Sequence, residues 1–285
     1  MNPPRLLRCG TYEDWRDQVA GPIEHSPCGI VSISAALAAP TLRVCELEGG
    51  LINFRADSSK GKTTCLFAGA SVVAKPDDPE PYVRSMRFTA NGAEGMAAAF
   101  NDLSMFLDEV SLCAPNDLGD FVYFFSGGKG KTRANVAGQA RPVHQWRGLG
   151  ILSAEVKVED HIATGGRRAR SGQAVRCLDL SVEEGPFGVF RTLPGGQSTI
   201  EDARSFADSI RLAATRNAGW AMSLFLERLT SDPAGAGTFL DGARDRMVQA
   251  WVPAGSDGQV YRAADRMAQI AAAGELAISW NIVPW

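Results

Sequence analysis

Ala56-Asp57-Ser58-Ser59-Lys60-Gly61-Lys62-Thr63-Thr64 decides the reading of this chain. It matches the pattern G-x-x-x-x-G-K-[ST] at every defined position but the first. The surroundings suit a phosphate-binding loop. Gly49-Gly50 breaks the chain, and Leu51-Ile52-Asn53-Phe54-Arg55 reads as a short buried strand. Thr64 to Val73 is small, apolar and free of Pro, which predicts a buried helix. In such a loop, backbone N–H groups of residues 57–64 curl around an anion at a helix N-terminus, where the dipole also favours phosphate. Lys62 would reach the β- and γ-phosphates, and the Thr63 hydroxyl would hold Mg2+. Asp57, Ser58, Ser59, Lys60, Gly61 and Thr64 complete the expected cradle. Ala56 stands where the pattern has Gly; if φ is positive there, Ala costs about 1 kcal/mol.

Gly127-Gly128-Lys129-Gly130-Lys131-Thr132 also contains G-K-T, but Phe125 fills its first-glycine position and no helical run follows. It reads as a basic turn. A second chemical signal is Leu103-Ser104-Met105-Phe106-Leu107-Asp108-Glu109, an apolar strand that ends in two acids. This is the Walker B pattern. Asp108 would hold Mg2+, and Glu109 would orient and polarise the attacking water. The plain alternative is a strand running into an acidic helix cap.

With 285 residues the chain has ample core for one large domain or two modest ones. It contains 45% hydrophobic and 21% charged residues, ordinary for a soluble globular protein. No sequence run approaches 18 apolar residues, so no membrane span is expected. The N-terminus lacks a signal-peptide core. Cys9, Cys28, Cys45, Cys65, Cys113 and Cys177 are scattered and suit a reducing, cytoplasmic setting rather than a zinc site or disulfide frame. Net charge is −3, which argues against a generally basic nucleic-acid binder. Ser126 to Arg176, however, holds ten Lys/Arg and three Asp/Glu, a balance of +7 that leaves −10 elsewhere. Such asymmetry marks one surface facing an anion.

Residues 1–50 read as a helical cover: Tyr12 to Val19 behind a Thr11 cap, then Cys28 to Ala39 closed by Pro40, with Leu42 to Leu47 as a candidate strand. Val83 to Thr89 is β-like, and Ala93 to Asn101 is a short helix. Asn91 has two readings, a contact to nucleotide or DNA and a helix cap. Leu118 to Phe125 is helix or strand. Residues 127–142 offer two polar arms around Asn135 to Gly138, either a β-hairpin carrying Lys131, Arg133 and Arg141 or a solvated basic loop. Gly148 to Ser153 is a buried strand with Ser153 at the end where a γ-phosphate sensor would sit. Residues 165–170 form an exposed basic turn, and Arg176 directly precedes the strand Cys177 to Leu180. The alternation predicts an α/β core with a mostly parallel sheet over 51–184. Gly185 to Gly196 is a boundary. Four helices follow: Ile200 to Ala214, Ala218 to Thr230, Phe239 to Val252 and Tyr261 to Ala277.

Together, DSSKGKTT (57–64), YVRSMRFTANGAEGMAAAFNDLSMFLDEV (82–110), SGGKGKTRANVAGQARPVHQWRGLGILSAE (126–155), GGRRARSGQAVRCLDL (165–180), YRAADRMAQIAAAGELA (261–277) and YEDWRDQV (12–19) resemble the domain-of-unknown-function-927 family. That family supplies the ATPase part of primase-helicases on plasmids, phages and other mobile elements. Some members look like minichromosome-maintenance (MCM)-type AAA+ helicases. The resemblance implies a P-loop AAA+ core (51–184), a mainly helical lid (185–285), ATP and Mg2+ as cofactors, and a hexameric ring on single-stranded or forked DNA. It makes Lys62 and Thr63 the phosphate-loop pair, and Asp108 and Glu109 the Walker B pair. Ser153 takes the sensor position, where MCM-type relatives usually have Asn. The 127–141 stretch, with Lys129, Lys131, Arg133 and Arg141, matches the basic hairpin before the sensor strand. Arg176 resembles the arginine finger, with Arg170 and Arg168 as rivals, and Arg262 or Arg266 would be the lid's second sensor. Ala56 and Ala154 depart from the usual glycines, which bears on hydrolysis rate more than on fold. Longer members carry primase or DNA-binding parts, so the chain reads as an excised motor domain. Three functions compete: a DNA-translocating ATPase, a nucleotide-dependent switch or loader without unwinding, and a small-molecule kinase. The last leaves the basic stretch unexplained.

Overall fold

The computed structural model describes residues 4, 6–77, 79, 81–131, 143–166, 172, 175–182 and 185–285. Its centre is a five-stranded sheet: β1 (Gly50–Arg55), β2 (Val83–Ser85), β3 (Ser104–Asp108), β4 (Leu149–Ala154) and β5 (Cys177–Ser181). The spatial order is β2-β3-β4-β1-β5, and every pairing is parallel. Parallel strands buried on both faces read as continuous apolar runs, not alternating ones. β4 shows this, with all six residues buried.

Helices cover both faces. α2 (Pro27–Val44) and α3 (Lys62–Ser71) pack on one. Ser104 donates its hydroxyl to the Ala35 carbonyl of α2 at 2.7 Å. Gly69 of α3 lies so close to the Phe106 ring that a Cβ would approach it to 2.5 Å. α5 (Pro115–Gly127) lies on the opposite face, with Phe125 over Gly150. α4 (Ala90–Ala99) and α6 (Val158–Ala163) flank α5. Thr89, not Asn91, caps α4, its hydroxyl accepting from the Gly92 N–H. α1 (Tyr12–Trp15) runs into a π-helical turn, and buried Trp15 donates its indole N–H to Ser71 at 2.9 Å.

Two expectations near the N-terminus are corrected. The second helix does not close at Pro40 but continues to Val44. Pro40 lacks one ladder N–H, yet residues 32–42 are all buried and packing outweighs that loss. Leu42 to Leu47 is therefore no strand: Glu46 turns at φ 52° and the Leu47 N–H returns to the Leu42 carbonyl. At 18 residues, α2 is also long and apolar enough to cross a membrane by length and composition, which the sequence reading did not anticipate. Two-thirds of it is buried inside the protein, so its apolar surface is occupied by the core.

The C-terminal part comprises α7 (Ile200–Arg216), α8 (Trp220–Ser231), α9 (Pro233–Trp251) and α10 (Gly258–Ser279). Thr199 and Asp202 form a reciprocal capping box on α7. α10 lies against α2, where the Gln269 amide donates to the Thr41 hydroxyl at 2.8 Å.

Candidate functional site

The C-terminal ends of β1, β3 and β4 converge on one cleft of about 550 Å3. β1 delivers the chain into the loop before α3, and Ser58 to Thr64 line the cleft. Ser59 and Gly61 take positive φ, 62° and 91°, which turns the loop into the first turn of α3. Ala56 is absent from that left-handed region. Its N–H continues the sheet to the Ala154 carbonyl at 3.2 Å, so the missing glycine costs no backbone strain here. The Lys62 ammonium donates to the carbonyls of Ala56 (2.6 Å) and Asp57 (2.8 Å). Burial lowers its pKa from the usual lysine range, while Glu155, Glu109 and Asp108 oppose that shift.

The two sequence motifs meet. The Thr63 hydroxyl lies 3.2 Å from Asp108 Oδ2. Ser153, 2% exposed, donates its hydroxyl to Asp108 Oδ1 and accepts the Glu109 N–H at 3.0 Å. β4 lies between β1 and β3, which is why Ser153 sits between the loop and the two acids. Glu109 holds φ 67°, ψ 77°, a costly conformation for a non-glycine residue, and its carboxylate accepts from the Ser111 hydroxyl. Among the described residues no three His, Cys, Asp or Glu side chains gather as a metal cluster. Thr63 and Asp108 fit Mg2+ differently, as two oxygen ligands beside a space that phosphate and water can fill.

A strap from the 185–196 boundary covers the loop. The Val189 N–H donates to the Lys60 carbonyl at 2.9 Å, and Gly188 (φ 67°) passes so near that a Cβ would lie 2.4 Å from that same oxygen. Opposite the loop, α7 presents Ile200, Ala203, Arg204, Ala207, Asp208 and Arg211 to the cleft. This is one helical face, at spacings of three and four. The sequence reading missed Arg204 and Arg211. Their signal was an Arg–Asp–Arg row at i, i+4 and i+7 directly after the Gly/Pro boundary.

Other candidates lie elsewhere. Arg266 is largely buried against the opposite ends of the strands, donating to the carbonyls of Val175 and Gly49. With Arg262 it lines a separate hollow beside Glu48 and Leu149. Six residues of β1, about 20 Å at strand rise, separate that end from the loop. Neither arginine lines this chain's own cleft. Arg176 is also at the far end: its guanidinium donates to Gly172 at 2.7 Å and stacks 5.0 Å from the Tyr123 ring centre. It does not pair with Asp179, which instead accepts from Asn53 and the Val158 N–H. The two roots of the basic stretch stand side by side, with Lys129 bridging Gln145 and the Gly130 N–H donating to His144 at 2.9 Å. Lys131 pairs with Asp120 at 2.9 Å. Arg133, Arg141, Arg168 and Arg170 lie outside the described residues.

The family model described as "Domain of unknown function (DUF927)" matches residues 2–145, half of the chain, and the chain belongs to that family. No curated protein matches it. Its fold is shared with a solved structure described as SCCmec type IV Cch, an active helicase, at TM-score 0.77 and 17% identity. The match covers 99% of this chain and 49% of that one, so the chain spans about half the length of that protein.

Proposed function

From this membership and this cleft, we propose that the chain is an ATP-hydrolysing P-loop motor of MCM-like AAA+ type, the core of a mobile-element DNA helicase. The observation that carries the reading is the Thr63–Asp108–Ser153 cluster, which joins the two motifs across three strands at the mouth of the loop. In this reading, residues 51–184 are the motor core and 185–285 the lid, which faces the nucleotide through α7. Lys62 leaves the Ala56 and Asp57 carbonyls to bind phosphate. Thr63 and Asp108 hold Mg2+, which supplies charge neutralisation at the phosphates when bound. Glu109 takes the proton of the attacking water. Arg204 and Arg211 add positive charge from α7. Assembly is a ring on single-stranded or forked DNA, with Arg176 or Arg170 reaching a neighbour's site and Lys129, Lys131, Arg133 and Arg141 on the DNA. The helicase it resembles in fold favours a helicase role, and a primase or other replication protein is the partner this reading expects.

A second reading, a nucleotide-dependent switch or loader, is favoured by one contact: Ser111 occupies the Glu109 carboxylate. One pair of variants separates the two. Lys62→Ala should abolish ATP binding. Glu109→Gln should bind ATP normally and lose about 100-fold or more in turnover. If Glu109→Gln hydrolyses at the wild-type rate, the motor reading fails; if wild-type protein binds ATP without turnover on DNA, the switch reading replaces it.

A further inference from the structure

We propose that Glu155 is a second carboxylate on the attacking water, facing Glu109 across the cleft. The inference rests on the nucleotide reading above and assigns a residue that neither sequence motif contains. Strand register places it. Arg55 of β1 lies beside Ala154 of β4, and the Ala56 N–H donates to the Ala154 carbonyl. Glu155 therefore stands next to Ala56 and Asp57, whose carbonyls hold the Lys62 ammonium. Its side chain lines the same cleft as Lys62, Thr63, Asp108 and Glu109. Burial depresses the Lys62 pKa, and Glu155 leads the carboxylates that oppose this, ahead of Glu109 and Asp108, which agrees with the register.

The turn carrying Glu155 is fixed from beneath. Asn53, buried in the middle of β1, donates to the Val156 carbonyl at 3.4 Å and to Asp179 at 2.6 Å. Asp179 also accepts the Val158 N–H at 3.2 Å. Ala154 is held by the sheet and Val158 by Asp179, so the exposed carboxylate between them projects from an anchored backbone.

A carboxylate beside a triphosphate suffers like-charge repulsion unless a proton donor stands between them. The attacking water is such a donor. Its oxygen forms the bond to the γ-phosphorus, and the bond from that phosphorus to the bridging oxygen breaks with its electron pair left on ADP. One water proton passes to Glu109. The other O–H needs an acceptor if the lone pair is to aim at phosphorus, and Glu155 supplies it from the β4 side.

Glu155→Ala and Glu155→Gln in the full chain test this, with steady-state turnover measured beside affinity for a fluorescent ATP analogue. Expected is a fall of about 10- to 100-fold in kcat for Glu155→Ala, with nucleotide affinity unchanged or tighter. Glu155→Gln should recover part of the rate, because its carbonyl oxygen still accepts a hydrogen bond. Equal losses in both variants would assign Glu155 as a mere counter-ion to Lys62 and overturn the proposal, as would an unchanged kcat in Glu155→Ala. Failure of the wild-type chain to bind the analogue would instead remove the nucleotide reading itself.

Discussion

Replacing Ser153 with Ala removes one hydroxyl and two hydrogen bonds. That hydroxyl donates to Asp108 and accepts the Glu109 N–H at 3.0 Å, at a site only 2% exposed. Asp108 keeps its contact to Thr63, but the Glu109 N–H loses its acceptor beside a left-handed backbone. Leaving that part-buried donor without its acceptor costs about 1–3 kcal/mol, and the small space left by one hydroxyl adds little to this. We expect about 2 kcal/mol of destabilisation. For a chain of this size each kcal/mol moves Tm by about 2–4 °C, so the nucleotide-free protein should melt about 4–8 °C lower. Turnover should fall by about 10-fold or more, since a misaimed Asp108 need lose only about 1.4 kcal/mol of transition-state stabilisation for that. The loss should shrink at high Mg2+ if the carboxylate is a metal ligand, because mass action then compensates weaker holding. Differential scanning calorimetry without nucleotide, and hydrolysis rates across a Mg2+ titration, check both. An unchanged Tm together with an unchanged Mg2+ dependence would mean that the Ser153–Asp108–Glu109 linkage carries no free energy, and the reasoning fails.

Two further outcomes are expected. Burial raises the Asp179 pKa above its ordinary 3.8, so the folded chain binds a proton there more tightly than the unfolded one, and stability falls as pH rises from 3.8 through the raised value. Asp179→Asn should flatten that pH dependence in urea unfolding while keeping an oxygen for Val158; an identical pH profile would count against it. Lys131→Ala combined with Arg133→Ala should weaken single-stranded DNA binding and lower the salt slope by up to about one unit per lost phosphate contact, with ATP binding retained. A slope equal to wild type would move the DNA surface away from the basic stretch.

The loop that opens α3 and the strand of Asp108 were legible because each couples a local pattern to a chemical requirement. G-K-T must start a helix, and an apolar run must stop where its acids meet the cleft. Pro40 misled because propensity is a local quantity, whereas the burial that keeps α2 intact comes from α3 and α10, distant in sequence. The same gap hid the arginines. A period of 3.6 identifies α10, but not which end of the sheet Arg262 and Arg266 will meet; that is set by tertiary packing against α2 and Gly49. Arg204 and Arg211 share a legible face of α7, yet only the path of the strap turns that face toward the loop. Ala56 was ambiguous because sequence does not report φ, and the sheet bond to Ala154 resolves it.

β4 connects the two ends of the molecule. Three residues before its start stands Trp146, whose N–H donates to the Gly128 carbonyl at 3.0 Å and whose indole donates to the Phe125 carbonyl, so the root of the basic stretch is tied to β4 and α5 together. Its last residues carry Ser153 onto Asp108 and lead into Glu155. Six residues, about 20 Å of extended chain, separate these ends. A buried strand paired on both sides cannot slip by one residue without reversing its side chains between faces. In the proposed motor, a displacement at the basic root would have to move β4 together with its paired neighbours, or be absorbed before Leu149 at Gly148. Gly148 abuts the Leu103 carbonyl, where a Cβ would lie at 2.6 Å, leaving little room for that absorption. Under the proposed function, this rigid strand would be the covalent route between the DNA contact and the acids proposed to activate water. A motor that must hydrolyse in step with movement needs such a route, and a freely hydrolysing enzyme does not.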